Sequence, residues 1–210
     1  MKIYLVRHGQ TDWNAAFLMQ GRSDIPLNAE GIRIAERTGE TFFSGRFPVE
    51  RLYCSKLFRA IQTAGILGKY MGGLEPIVIE GLEEMSFGEW EGMSLPEIQA
   101  KYPEEAARWR TDFLTPAPGG ESHIGAGMRG METLNMLAEE ETGDFAVVAH
   151  GALIRAMLTI LTHSDYSELK KYTMPNCGIA QLEYDPLTRE YKLLGIHGVE
   201  AGCGSAIFTN

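Results

Sequence analysis

Cysteine is scarce in this 210-residue chain: Cys54, Cys177 and Cys203 are an odd number, none stands in a CxxC pair, and a disulfide framework is excluded. They read as reduced thiols. No run approaches the ~20 apolar residues of a membrane span. The opening apolar run from Ile3 to Val6 meets Arg7 too early to be a signal-peptide core, so the expected compartment is the cytoplasm. Positive charge is short as well, 19 Lys plus Arg against 28 Asp plus Glu for a net charge of −9, which argues against a nucleic-acid partner. A Walker loop, HExxH and GxSxG are all absent, and with them P-loop hydrolysis, zinc peptidase and serine hydrolase chemistry. Gly202-x-Gly204 lacks the strand–helix setting of a dinucleotide fingerprint.

What is there suffices for a packed core. The composition, 44 % hydrophobic and 22 % charged, is that of a globular protein, and the length suggests one domain over residues 1–210. Short apolar runs at Ile3–Val6, Arg51–Cys54, Pro76–Ile79 and Phe145–Ala149 read as strands. Between them, helical patterns run over Ala29–Phe43, with Ile32 on its apolar stripe, and over Lys56–Met71, Ser94–Lys101, Pro103–Thr111 and His123–Glu141. Met128, Met131 and Met136 read as packing residues. Helices over Ala152–Leu161 and Tyr166–Tyr172 follow, then strands over Ile179–Tyr184 and Tyr191–Ile196 around an Asp185-Pro186 turn. This alternation predicts an α/β fold: a three-layer α/β/α sandwich with a mostly parallel central sheet and an antiparallel edge strand. The segment around residues 94–122 is expected to be a helical cap insertion. Ligands in such folds sit beyond the carboxyl ends of the strands.

Two histidines, His8 and His150, each follow an apolar strand and precede a glycine, which should aim both into one crevice. Either pair alone is a turn carrying a polar residue. Arg7 and Arg59 change that reading, because guanidinium forks match phosphoryl oxygens while imidazoles, the Asn14 amide and backbone N–H groups add donors. The pattern predicts a phosphate cradle. His123, His163 and His197 lack such company and read as solvated or hydrogen-bonded histidines.

Arg7-His8-Gly9-x-Thr11 together with His150-Gly151 resembles the histidine phosphatase superfamily, in its phosphoglycerate-mutase-like branch. Supporting motifs stand in order along nearly the whole chain: Trp13-Asn14, Gln20-Gly21-x-x-Asp24-x-Pro26-Leu27, Ser55-x-Leu57-x-Arg59-Ala60-x-Gln62-Thr63-Ala64, Leu82-x-Glu84-x-x-x-Gly88-x-Trp90-Glu91-Gly92, and Gly119-Gly120-Glu121-Ser122. The resemblance implies a phosphoglycerate-mutase-like fold, a phosphohistidine on His8, and Arg7, Arg59 and His150 around the transferring group, with Asn14 and Gly151 assisting. It implies that Gln20 and Gly21 line the substrate mouth, and that neither metal nor cofactor is needed. Glu84 fits the proton donor, and a phosphoryl dianion beside it should raise its pKa. Its neighbour Glu83 competes for that role, since only one of two adjacent residues of an extended segment can face the crevice. Glu89 and Glu91 read as surface or supporting groups.

Two reactions share this chemistry. A mutase must retain its dephosphorylated product, which in the family goes with a longer basic segment after the acid motif. Here Trp90–Pro118 is short and offers Arg108 and Arg110, separated by Trp109. A phosphomonoesterase acting on a small-molecule phosphate ester is therefore expected, similar to α-ribazole phosphatase-like members, with cofactor-dependent phosphoglycerate mutase as the alternative. The oligomeric state, a homodimer included, stays open.

Overall fold

The computed structural model describes residues 1–45, 47–199 and 206–209. Its strands are β1 (Lys2–Arg7), β2 (Arg51–Cys54), β3 (Ile77–Val78), β4 (Phe145–Ala149), β5 (Ile179–Asp185), β6 (Glu190–Val199) and β7 (Ala206–Thr209). They form one sheet in the order β3-β2-β4-β1-β5-β6-β7. β1 to β4 pair in parallel, and β5, β6 and β7 extend the sheet antiparallel from β1, so the antiparallel edge is three strands deep.

Helices α1 (Asp12–Ala15), α2 (Ala29–Thr38), α3 (Phe58–Tyr70), α4 (Leu95–Lys101), α5 (Pro103–Thr111), α6 (His123–Glu140) and α7 (Gly151–Leu161) complete the fold. Strand alternation divides the core. Ile3, Leu5, Phe145 and Val147 face α6, α7 and the Trp90–Trp109 cluster, while Tyr4, Val6, Ala146 and Val148 face α3. Sheets covered on both faces read as continuous apolar runs, and β4 is buried at every residue. Among the described residues no helix is long and apolar enough to cross a membrane.

Several expectations need correcting. The helix expected to reach Phe43 keeps α-helical form only to Thr38, then widens into a π-helical turn at Gly39–Phe43. Gly39 lies against the ring of Tyr70, and the wider turn swings Phe42 and Phe43 into the core. Ile32 is exposed, and so are Met128 and Met136; Met131 alone of the three methionines leans on the core. The buried stripe of α6 runs instead through Ala126, Gly127, Gly130, Leu134 and Leu137, where the missing side chains of Gly127 and Gly130 let Ala156, Met157 and Leu153 of α7 approach. Cys54 and Cys177 are buried free thiols, pushed up by burial to about 11 and about 12. Cys203 and Gly202-x-Gly204 lie outside the described residues.

Candidate active site

β1 and β4 run side by side with Arg7 opposite Ala149, so the next residue on each strand is a histidine. The His8 N–H donates to the Ala149 carbonyl at 3.0 Å, and the two imidazole centroids lie 5.2 Å apart. Both rings are buried. His8 Nδ1 lies 2.6 Å from the Gly9 carbonyl, an acceptor only, so Nδ1 carries the proton and Nε2 keeps its lone pair. Burial, then the charges of Arg59 and Arg7, hold His8 well below the ordinary imidazole value. His150 is lowered by burial first and by Arg59 second; its Nε2 pairs with Ser55 Oγ at 2.8 Å and its Nδ1 has no partner among the described residues.

The loop after β1 is tightly bound on both sides. Gly9 packs against Gly31 at the start of α2, where a Cβ on Gly9 would meet the Gly31 carbonyl at 2.7 Å. The Gly9 N–H donates to Thr63 Oγ1 at 2.9 Å. Thr11 and Asn14 form a reciprocal cap on α1, and Asn14 Oδ1 also accepts from Asn176 Nδ2 at 3.2 Å. Thr11 Oγ1 donates to the buried Gln20 side chain at 3.0 Å.

Arg7 donates to the Met174 carbonyl at 2.7 Å, and Gly151 lies against its guanidinium, which a Cβ there would meet at 3.1 Å. Arg59 donates to the carbonyls of Ser23 and Gly21, each at 2.7 Å, which ties it to the loop at the mouth. That loop is held by Glu91, whose carboxylate accepts from the N–H groups of Arg22, Ser23 and Phe87 and from Ser23 Oγ. Glu89 takes the Tyr102 hydroxyl. Glu121 joins Arg22 and Arg129, each at 2.9 Å, and Ser122 caps α6.

Glu83 and Glu84 part as extended neighbours must. Glu83 turns to Lys56 at 3.0 Å and to the Gly81 N–H at 2.9 Å. Glu84 faces the histidine crevice. Its Oε1 accepts from Met85 at 2.9 Å and Leu153 at 2.8 Å, and its Oε2 from Ala152 at 3.1 Å, so the first turn of α7 fixes the carboxyl.

These groups line one cavity of about 170 Å³: Arg7, His8, Asn14, Gln20, Gly21, Arg59, Glu84 and Gly151 are all in its wall. His150 is fully buried with its ring centroid 5.2 Å from that of His8, and it is not among the residues in that wall. Arg108 and Arg110 point to solvent. Sequence reasoning gave no role to three contributors. Arg155 lines the cavity, Asn176 braces Asn14, and Ser55 holds His150. The spacing of Arg155, four residues after Gly151 on one helix face, was the available signal for the first. His123 is also corrected: it is buried, its ring tilted against that of Trp109 at 4.6 Å, with burial lowering it to about 4.

Residues 3–197 match the model of the histidine phosphatase superfamily (branch 1). The chain is 34% identical over 194 residues to the uncharacterized phosphatase PhoE of Bacillus subtilis, covering 87% of this chain and 88% of that one. It is 34% identical over 181 residues to a 2,3-bisphosphoglycerate-dependent phosphoglycerate mutase of Gloeobacter violaceus, covering 83% and 82%. Among solved structures, a mycobacterial glucosyl-3-phosphoglycerate phosphatase complexed with VO3 superimposes with a TM-score of 0.82 at 30% identity, over 91% of this chain and 96% of that one.

Proposed function

The chain belongs to the histidine phosphatase superfamily, and we propose that it works as a phosphomonoesterase on a small phosphorylated metabolite. His8 Nε2 attacks phosphorus; the N–P bond forms as the P–O ester bond breaks, and Glu84 gives its proton to the leaving oxygen. Water then attacks the phosphohistidine, Glu84 takes a proton from it, and breaking the N–P bond releases phosphate and restores His8. Arg7 and Arg59, with His150, Asn14 and the Gly151 N–H, stabilise the charge on the equatorial oxygens. Gln20 and Gly21 line the entrance, and the mechanism uses no metal.

One observation carries this reading: a buried, neutral His8 whose proton is committed to the Gly9 carbonyl, leaving a free lone pair in a cavity that also holds Glu84 and two cradle arginines. The outward direction of Arg108 and Arg110 favours hydrolysis over mutase chemistry, since neither offers a clamp for a retained product. The test is inorganic phosphate release from a panel of phosphorylated metabolites, with phosphoglycerate isomerisation followed in parallel with and without bisphosphoglycerate. Acid-labile phosphate on the protein, lost with turnover in His8→Ala, supports the proposal. Isomerisation that outruns phosphate release replaces it with the mutase.

A further inference from the structure

Arg155 has no part in the chemistry above, yet it lines the same cavity. It stands on α7 one turn, about 6 Å of helix rise, beyond Gly151. That places it on the helix whose first N–H groups hold Glu84, the group proposed to protonate the leaving oxygen. Its Nε is buried without a hydrogen-bond partner among the described residues. Glu84 is the carboxylate whose field reaches it, and the Glu84 oxygens already take three backbone N–H groups. The neighbouring His123 is neutral, and Arg7 adds like charge. An arginine cannot shed its proton, so this is a desolvated cation lacking a counter-ion of its own.

Charge matching says what it takes. Three guanidinium groups, Arg7, Arg59 and Arg155, face the cavity. A phosphoryl dianion balances two of them, and once Glu84 holds the proton it must donate, the third is left for another anion. We propose that Arg155 is a specificity-determining residue that binds a second anionic group on the leaving alcohol, so that the substrates are phosphate esters of small hydroxy acids or small bisphosphates. This rests on the phosphomonoesterase reading.

The experiment compares kcat/KM within two matched pairs, phosphoglycolate against ethyl phosphate and propane-1,3-diyl bisphosphate against propyl phosphate, in wild type, Arg155→Met and Arg155→Lys. Charge-assisted bonds to Arg155 should make wild type favour the member with the second anionic group in at least one pair by about 10–100-fold. The Met variant should bring that ratio close to one, and the Lys variant, which keeps the charge without the fork, should lie between. The pair with the larger ratio identifies carboxylate or phosphate as the second anion. Ratios near one in wild type, or a wild-type ratio in Arg155→Met, overturn the proposal. Should Arg155→Met fail to fold, a wild-type ratio in Arg155→Lys overturns it. Phosphate release from none of the four esters refutes the phosphatase reading instead.

Discussion

Acidification should destabilise this protein well before its carboxylates titrate. His8, His150 and His123 are buried, and each is held below the ordinary imidazole value, His123 at about 4. An unfolded histidine titrates near 6.5, so above that pH both states are neutral and the three contribute nothing to the pH dependence. Below it the unfolded chain takes up protons that the folded chain refuses, and stability falls with falling pH. At pH 5 His123, held at about 4, favours the unfolded state by about 2 kcal/mol, and His8 and His150 act in the same direction. The lowered carboxylates Glu83 and Glu121 act in a lower window, because what they contribute is lost only as pH falls below the ordinary carboxylate value. Against a typical total of about 5–15 kcal/mol, the loss from His123 alone is already a measurable fraction of the whole. Urea denaturation at pH 7.5, 6.5, 5.75 and 5.0 measures it, with His123→Gln as the control that removes one titrating ring away from the reacting groups. That variant should lose about 2 kcal/mol less than wild type over the range. Stability that stays flat from pH 7.5 to 5.0 would refute the reasoning, and an unchanged slope in the variant would remove His123 from it.

Glu84→Gln should lower kcat by about 10²–10⁴-fold on esters with poor leaving groups and far less on nitrophenyl phosphate; equal losses on both would reassign the acid. Ser55→Ala leaves both nitrogens of the buried His150 ring without a partner, and should cost about 1–3 kcal/mol in urea denaturation; a smaller change would mean that the ring finds another acceptor or donor. In Gly31→Ala the new methyl collides with the Gln10 carbonyl and must displace the loop that carries His8. Thermal midpoint and kcat should then fall together, and a drop in midpoint with full kcat would show that the loop holds its place.

Much of this architecture was legible because the informative signals were local. β1 and β4 are apolar runs cut off by a His-Gly pair, and Ser94 and Glu97 spell out the capping box found at the start of α4. The order of the motifs around His8, Arg59, Glu84 and His150 pointed to one crevice. What stayed hidden depended on which neighbour a residue meets in space. Glu83 and Glu84 are chemically alike in the sequence, and the difference comes from Lys56 on one side and the first turn of α7 on the other. Met128 and Met136 suited a packed helix face until Gly127 and Gly130 proved to be where α7 makes its approach. His123 read as solvated or hydrogen-bonded because nothing nearby in the chain announces Trp109 beside its ring. Arg155 belongs to no recognised motif.

The parallel pairing of β1 with β4 has a kinetic corollary. His8 and His150 are far apart in sequence and become neighbours only when β1 closes against a strand that follows six helices. Pairings of such large sequence separation bear the loop-closure entropy of everything between them and are slow to form. Regain of catalytic activity during refolding should therefore lag the appearance of helical circular dichroism and coincide with completion of the sheet, which makes turnover itself a clock for the last stage of folding.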